Sequence, residues 1–152
     1  MAHSPASLWA LYRSENSDAP EAPIASYHFC DNAEDAATCL QLVLDGQKRA
    51  TACSLKELEL CGDPVPQAGD LNVVTDFAGD AHAIIRTTSV ELKKFSEVDA
   101  EFARAEGEGD LSLEWWRDAH RAYFTRVLAG TDIAVDDDLM IACERFEVVF
   151  TV

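Results

Sequence analysis

The chain has 152 residues, 48% of them hydrophobic and 26% charged, which is the make-up of one globular domain and not of a disordered chain. Twelve Lys and Arg stand against 28 Asp and Glu, a formal net charge of −16, so the surface repels phosphate polymers unless a local basic pocket overrides it. No apolar run reaches the ~18 residues of a membrane span, Met1–Ser7 has no basic-then-apolar leader pattern, and the five cysteines include no C-x-x-C pair. Free thiols, no membrane partner and a cytoplasmic location are the resulting expectations.

Ser4-Pro5 ahead of Leu8, Leu11 and Tyr12 predicts a short capped helix, since proline suits a first helical turn. The acidic, proline-bearing segment Asn16–Pro23 reads as a loop. Asp31-x-x-Glu34 has the form of a capping box. Ala33, Ala36, Ala37, Leu40, Val43 and Leu44 follow at helical spacing up to Gly46. Ala50–Leu55 is a candidate strand, and Gly62–Gly69 a turn-rich connection. Leu71, Val73, Thr75 and Phe77 alternate with Asn72, Val74 and Asp76, and Ala78-Gly79-Asp80 turns the chain into a second strand over Ala81–Leu92, together an antiparallel hairpin. A helix over Ser96–Ala105, capped by Ser96, is broken by Glu106-Gly107-Glu108-Gly109-Asp110. Ser112 opens a further helix, and Met140–Phe150 is a long strand with Met140, Ala142, Phe146, Val148 and Phe150 on one face. Helices, strands, helices and a closing strand make an α+β fold whose strands can curl into a small barrel.

Glu144 lies in register with that apolar face, and a buried acid needs a partner; Arg86 on the neighbouring strand is one candidate. On composition alone Lys48 and Arg49 read as solvated charges. In a cleft, a lysine can serve as a base and the nearby Thr51 hydroxyl as a nucleophile. His28, Cys30, Cys53 and Cys61 supply no two matched ligand pairs, so neither a metal nor another cofactor is expected. Trp115, Trp116 and Tyr123 can stack on a base, although a helical tryptophan is more often core, and His120 reads as a structural histidine. There is no P-loop, dinucleotide fingerprint or G-x-S-x-G.

Leu44-Asp45-Gly46-Gln47-Lys48-Arg49-Ala50-Thr51, Pro66–Asp70, the run from Glu106 through Trp116 to Arg117, and Cys143-Glu144-Arg145-Phe146-Glu147-Val148 occur in this order along nearly the whole chain. In that combination the sequence resembles the ASCH domain family, in its longer bacterial branch. The resemblance implies a PUA-like small β-barrel flanked by helices, as a single domain over 1–152 with an N-terminal helical extension of about thirty residues. It also implies a cleft for RNA or a modified nucleoside. Small members are amidohydrolases that deacetylate N4-acetylcytidine with a Lys and a Thr in G-x-K-x-x-T and a Glu after a helix. That pattern carries the catalytic roles to Lys48, Thr51 and Glu106, with Glu108 as a rival acid. Arg49 then helps hold substrate, and Lys48 is expected to accept the Thr51 proton. The alternative is a non-catalytic RNA-binding module using Lys48, Arg49, Arg117 and Arg121, or an RNA-cleaving enzyme in the same cleft, or a domain that only makes protein contacts. The expected partner is a small nucleoside-like substrate or a short RNA. The segments that lengthen the chain could also serve a homodimer contact.

Overall fold

The computed structural model describes residues 1–152. In chain order they form α1 (Pro5–Glu15), β1 (Ala25–Tyr27), α2 (Ala33–Leu44), β2 (Ala50–Ser54), α3 (Leu55–Cys61), β3 (Leu71–Thr75) and β4 (Ala81–Lys94). A 3-10 turn (Phe95–Glu97), α4 (Ala100–Glu106), α5 (Leu113–Val127) and β5 (Met140–Thr151) complete the chain. The strands make one mixed sheet in the order β1-β3-β4-β5-β2, in which only the β1–β3 pair is parallel. With its five α-helices the sheet is an α+β half-barrel: its edges, β1 and β2, do not pair with each other, so the barrel stays open along one seam. No helix is long and apolar enough to cross a membrane.

Local chemistry sets the helix ends. Ser4 caps α1, its hydroxyl accepting from Ser7 N, with Pro5 in the first turn. The cap of α2 is Asn32, one residue after the expected Asp31: the Asn32 side chain accepts from Asp35 N at 2.9 Å and donates to the Asp35 carboxylate at 2.8 Å. Asp31 instead pairs with Arg126 at 2.8 Å. The expected Ser96 helix splits into the 3-10 turn and α4, which is capped by Asp99 accepting from Phe102 N at 2.9 Å. Two elements were not anticipated. β1 has three residues, too few to show an alternation. The helix α3 starts at Ser54, which caps Glu57 N at 3.0 Å, and ends at Gly62 in the left-handed conformation.

Three apolar clusters hold the sheet. Behind it, Leu8, Trp9 and Tyr12 of α1 cover Leu71, Val73 and Ile84. Residues 25–30, expected within the N-terminal extension, instead form β1 and the turn after it. On the α2 side, Val43, Cys39 and Leu40 meet Phe29, Val74, Ile85 and Phe146. Under α4 and α5, Phe95, Phe102, Trp116 and Phe124 meet Ile141 and Cys143. The single apolar face expected along β5 does not run to Phe150. Ile84 pairs with Phe150 and Ile85 with Val148, so Val149 is an inserted residue, and such a bulge reverses the facing of the residues beyond it. Phe150 accordingly packs edge-on against Tyr12, whereas Phe146 stacks on Phe29.

Phe146 is 3% exposed at the centre of the α2-side cluster. Its replacement by Ala is expected to cost ~3–5 kcal/mol in a denaturant melt; a loss below ~1 kcal/mol would contradict this packing.

Candidate functional site

Lys48 follows α2 and leads into β2, and although it carries a charge it is 1% exposed. The segment before β2 is zipped to the end of α4. Arg49 N donates to Ala105 O at 2.7 Å, and Gln47 Nε2 donates to Gly107 O at 2.6 Å. Gly107 has φ 72°, and a Cβ there would lie 2.6 Å from Gln47 O, so only glycine permits this approach. Gly109 lies against the Trp115 ring in the same way. The two glycines that interrupt the helix thus bring Glu106 and Glu108 onto Lys48.

Lys48 Nζ donates to Ala50 O at 2.8 Å, to Glu106 Oε1 at 3.0 Å and to Glu108 Oε2 at 2.7 Å, with Glu106 O at 3.4 Å. The Phe29 ring lies 5.2 Å away. Composition made this residue a solvated charge; the fold buries it and pairs it twice. Glu106 is 1% exposed. Its second oxygen accepts from the Trp116 indole and lies 3.0 Å from His120 Nε2. His120 Nδ1 lies 2.9 Å from Trp116 O, so both ring nitrogens face acceptors, an arrangement that favours the imidazolium.

Burial works against the charges of Lys48, His120 and Glu106, and their partners outweigh it. It pulls the Lys48 pKa down, but Glu106 and Glu108 hold it above the usual lysine range. It pulls His120 down, but Glu106 raises it. It pushes Glu106 up, but Lys48 and then His120 hold it far below the usual carboxylate range. Lys48 therefore meets a substrate as an ammonium. The expectation that it removes a proton from Thr51 is opposed by these partners, and Thr51 is not among the oxygens Lys48 bonds.

This network forms one wall of a cavity of about 870 Å³. Both edge strands line it, with Ile24–Tyr27 on one side and Thr51–Cys53 on the other, so it opens at the seam of the half-barrel. Thr51, Glu106, Glu108 and Lys48 all reach it, as do Trp115, Tyr123, His120 and Glu144. Trp116 does not; it is core. Arg49, Arg117 and Arg121 are also absent from the lining. Arg49 Nη1 closes the end of α2 by donating to Val43 O at 3.2 Å and Lys48 O at 3.0 Å. Arg117 reaches Ser96 O at 3.4 Å, and Arg121 lies over the Phe95 ring near Asp137.

Glu144 is not paired with Arg86, which faces outward and meets Glu147 at 3.2 Å. Its partner is the Thr87 hydroxyl, donating at 2.8 Å. Eight carboxylates line the cavity against two permanent cations, Lys48 and Arg126, and both cations are engaged by carboxylates. Among possible metal donors, Cys30, Cys39 and Glu108 converge within 4.8 Å. Cys30 and Cys39 Sγ are 3.2 Å apart, and Cys39 donates to Glu108 Oε1 at 3.4 Å. His28, Cys53 and Cys61 are not in this group.

The ASCH domain model matches residues 25–150, and the chain belongs to that family. The crystal structure of protein EF3133 from Enterococcus faecalis V583 is similar at 30% identity and TM-score 0.87, covering 95% of this chain and 87% of that one. The ASCH domain structure from Lactobacillus crispatus JV V101 is similar at 35% identity and TM-score 0.80, covering 91% of each chain. Hypothetical protein PH0355, at 12% identity and TM-score 0.52, shares the fold alone. No curated protein matches the chain.

His120, which the sequence marks as a structural histidine, stands in the site against Glu106, one turn after Trp116. Because its pKa is raised by folding, the stability it contributes is full below the unfolded histidine value of about 6.5 and lost as pH rises through the folded value. The difference in unfolding free energy between the parent and His120→Gln is expected to shrink as pH is raised through that range. A difference that is constant or growing would contradict the imidazolium.

Proposed function

We propose that the protein is a metal-independent amidohydrolase acting on an N-acylated, cytidine-like nucleoside or a small amide. The observation that carries this reading is a lysine ammonium fixed at the wall of a cavity that Thr51 also lines. Catalysis of acyl transfer needs a nucleophile and a preorganised positive charge where the carbonyl oxygen becomes an oxyanion. Thr51 supplies the hydroxyl. Lys48 supplies the charge, and Glu106, with Trp116 and His120 behind it, keeps Lys48 in place. Glu108 is the more accessible of the two acids, its side chain 17% exposed against 1% for Glu106. It is therefore the one a substrate can touch.

The same geometry favours a free nucleoside over RNA. A phosphate chain needs unpaired cations, and neither cation of the lining is unpaired. A flat, uncharged base can lie against Trp115 and Tyr123. Arg117 and Arg121 stay outside the cavity, so they support an RNA-binding reading only as surface charges.

The test uses the parent, Thr51→Ala, Thr51→Ser and Lys48→Met, assayed for acetate release from N4-acetylcytidine and for binding of a short RNA. The parent is expected to release acetate, with Thr51→Ala slower by ~10²-fold or more and Thr51→Ser largely active. Removing the Lys48 charge leaves Glu108 without a cation and Glu106 with His120 alone, so Lys48→Met is expected to lose turnover together with ~1–3 kcal/mol of stability. Salt-dependent RNA binding without acyl turnover in the parent would overturn the hydrolase reading.

A further inference from the structure

A threonine hydroxyl attacks only when something takes its proton, and Lys48, held as an ammonium by Glu106 and Glu108, has no free lone pair. Directly across from Thr51 in the β2–β5 ladder stands Glu144. Cross-strand partners project from the same face with Cβ atoms ~4.5–5.5 Å apart, and both side chains line the cavity. That span is bridged by a hydrogen bond or by one water.

Glu144 is 6% exposed. Its Oε2 accepts from the Thr87 hydroxyl at 2.8 Å, its sole side-chain bond within the chain, and Oε1 accepts none. No Lys, Arg or His pairs with it. The other groups that bear on it are Tyr27 from β1, Cys53 from β2 and Asp70 ahead of β3. A buried carboxylate without a cation is costly in a purely structural role, and burial followed by the Asp70 charge raises its pKa. That direction suits a base, which works best when poised near the operating pH. Tyr27 carries no charge to compete, because burial and the nearby Glu144 push its phenol up.

We propose that Glu144 is the general base that takes the Thr51 hydroxyl proton, an inference that rests on the hydrolase reading of the same cavity. As the proton moves to Glu144, Thr51 Oγ1 bonds to the acyl carbon, and the oxyanion forms against the Lys48 ammonium. The carbon–nitrogen bond then breaks and the leaving amine takes the proton back from Glu144. Water attacks the acyl-threonine, giving its proton to Glu144, which returns it to the departing Thr51 oxygen. Amide and water become amine and carboxylic acid, with every group restored.

Glu144→Gln tests this, because the amide oxygen still accepts from Thr87 but cannot take a proton. On N4-acetylcytidine, Glu144→Gln is expected to keep the parent's KM and thermal midpoint while kcat falls ~10²-fold or more. The acid limb of the parent's kcat/KM profile, from a carboxyl above its ordinary range, should be missing from the residual activity. A second measurement does not depend on the true substrate: p-nitrophenyl acetate should acetylate Thr51 in the parent, read by peptide mass, and much more slowly in Glu144→Gln. Turnover or Thr51 acetylation in Glu144→Gln within about threefold of the parent overturns the base assignment. Glu144-dependent acetylation of Thr51 without nucleoside turnover would overturn the substrate class and leave the base standing. A parent that shows neither acetylation of Thr51 nor acetate release from either compound overturns both.

Discussion

The structure depends on one buried ammonium. Taking Lys48 out of water costs several kcal/mol, and the chain meets that cost with two carboxylates from a segment 58 to 60 residues away. Much of the local architecture exists to complete the arrangement. Gly107 lets the backbone of the two segments touch, Gln47 and Arg49 fasten them, and Trp116 and His120 occupy the remaining oxygen of Glu106. Each group is a partner for the next, so the set is fixed as a unit. Fixed charges of this kind are what a polar reaction requires of its surroundings, because they need no rearrangement when charge develops.

The open seam gives that unit access to ligand. A closed barrel would fill its interior with side chains; here the two edge strands stand apart and the space between them is the cavity. The polar groups facing it divide into two kinds. Lys48 and Glu106 are enclosed by protein partners and Arg126 is paired with Asp31, whereas the Thr51 hydroxyl and one oxygen of Glu144 bond no group of the chain. The remainder of the wall includes the aromatic rings of Phe29, Trp115 and Tyr123.

Much of this was legible in the residues, for reasons that differ by element. The helices α2 and α5 carry full apolar periodicity with polar caps, so local pattern and tertiary burial agree. The α2 cap moved from Asp31 to Asn32 because both types can cap, and tertiary pairing with Arg126 took Asp31. The short helix α3 was not read, because its start overlaps the strand expected over Ala50–Leu55; its signal is Ser54 three residues before Glu57, with Gly62 beyond. The motif Gly46–Thr51 and the Glu106–Asp110 run were conspicuous, and the resemblance to the family placed them in one site. The split between Lys48 and Arg49 was not readable, because both precede β2 and only the fold buries the first and turns the second back onto the end of α2. The partner of Glu144 was not readable. Thr88 is an inserted residue between the Thr87–Phe146 and Ser89–Arg145 pairs, and a bulge cannot be placed from alternation.

The first helix carries a consequence for where this domain can be cut. The family match begins at Ala25, yet Leu8, Trp9 and Tyr12 lie on the back of β3 and β4, over Leu71, Val73 and Ile84, and Ala81 N bonds His3 O at 2.7 Å. β3 and β4 lie at the middle of the sheet, and the opposite face of β3 presents Asn72 to the cavity. The unit that folds cooperatively is therefore larger than the unit that sequence comparison recognises. A fragment trimmed to the recognised boundary would present an apolar sheet surface to water, and so would become sticky while keeping Lys48, Thr51, Glu106 and Glu144.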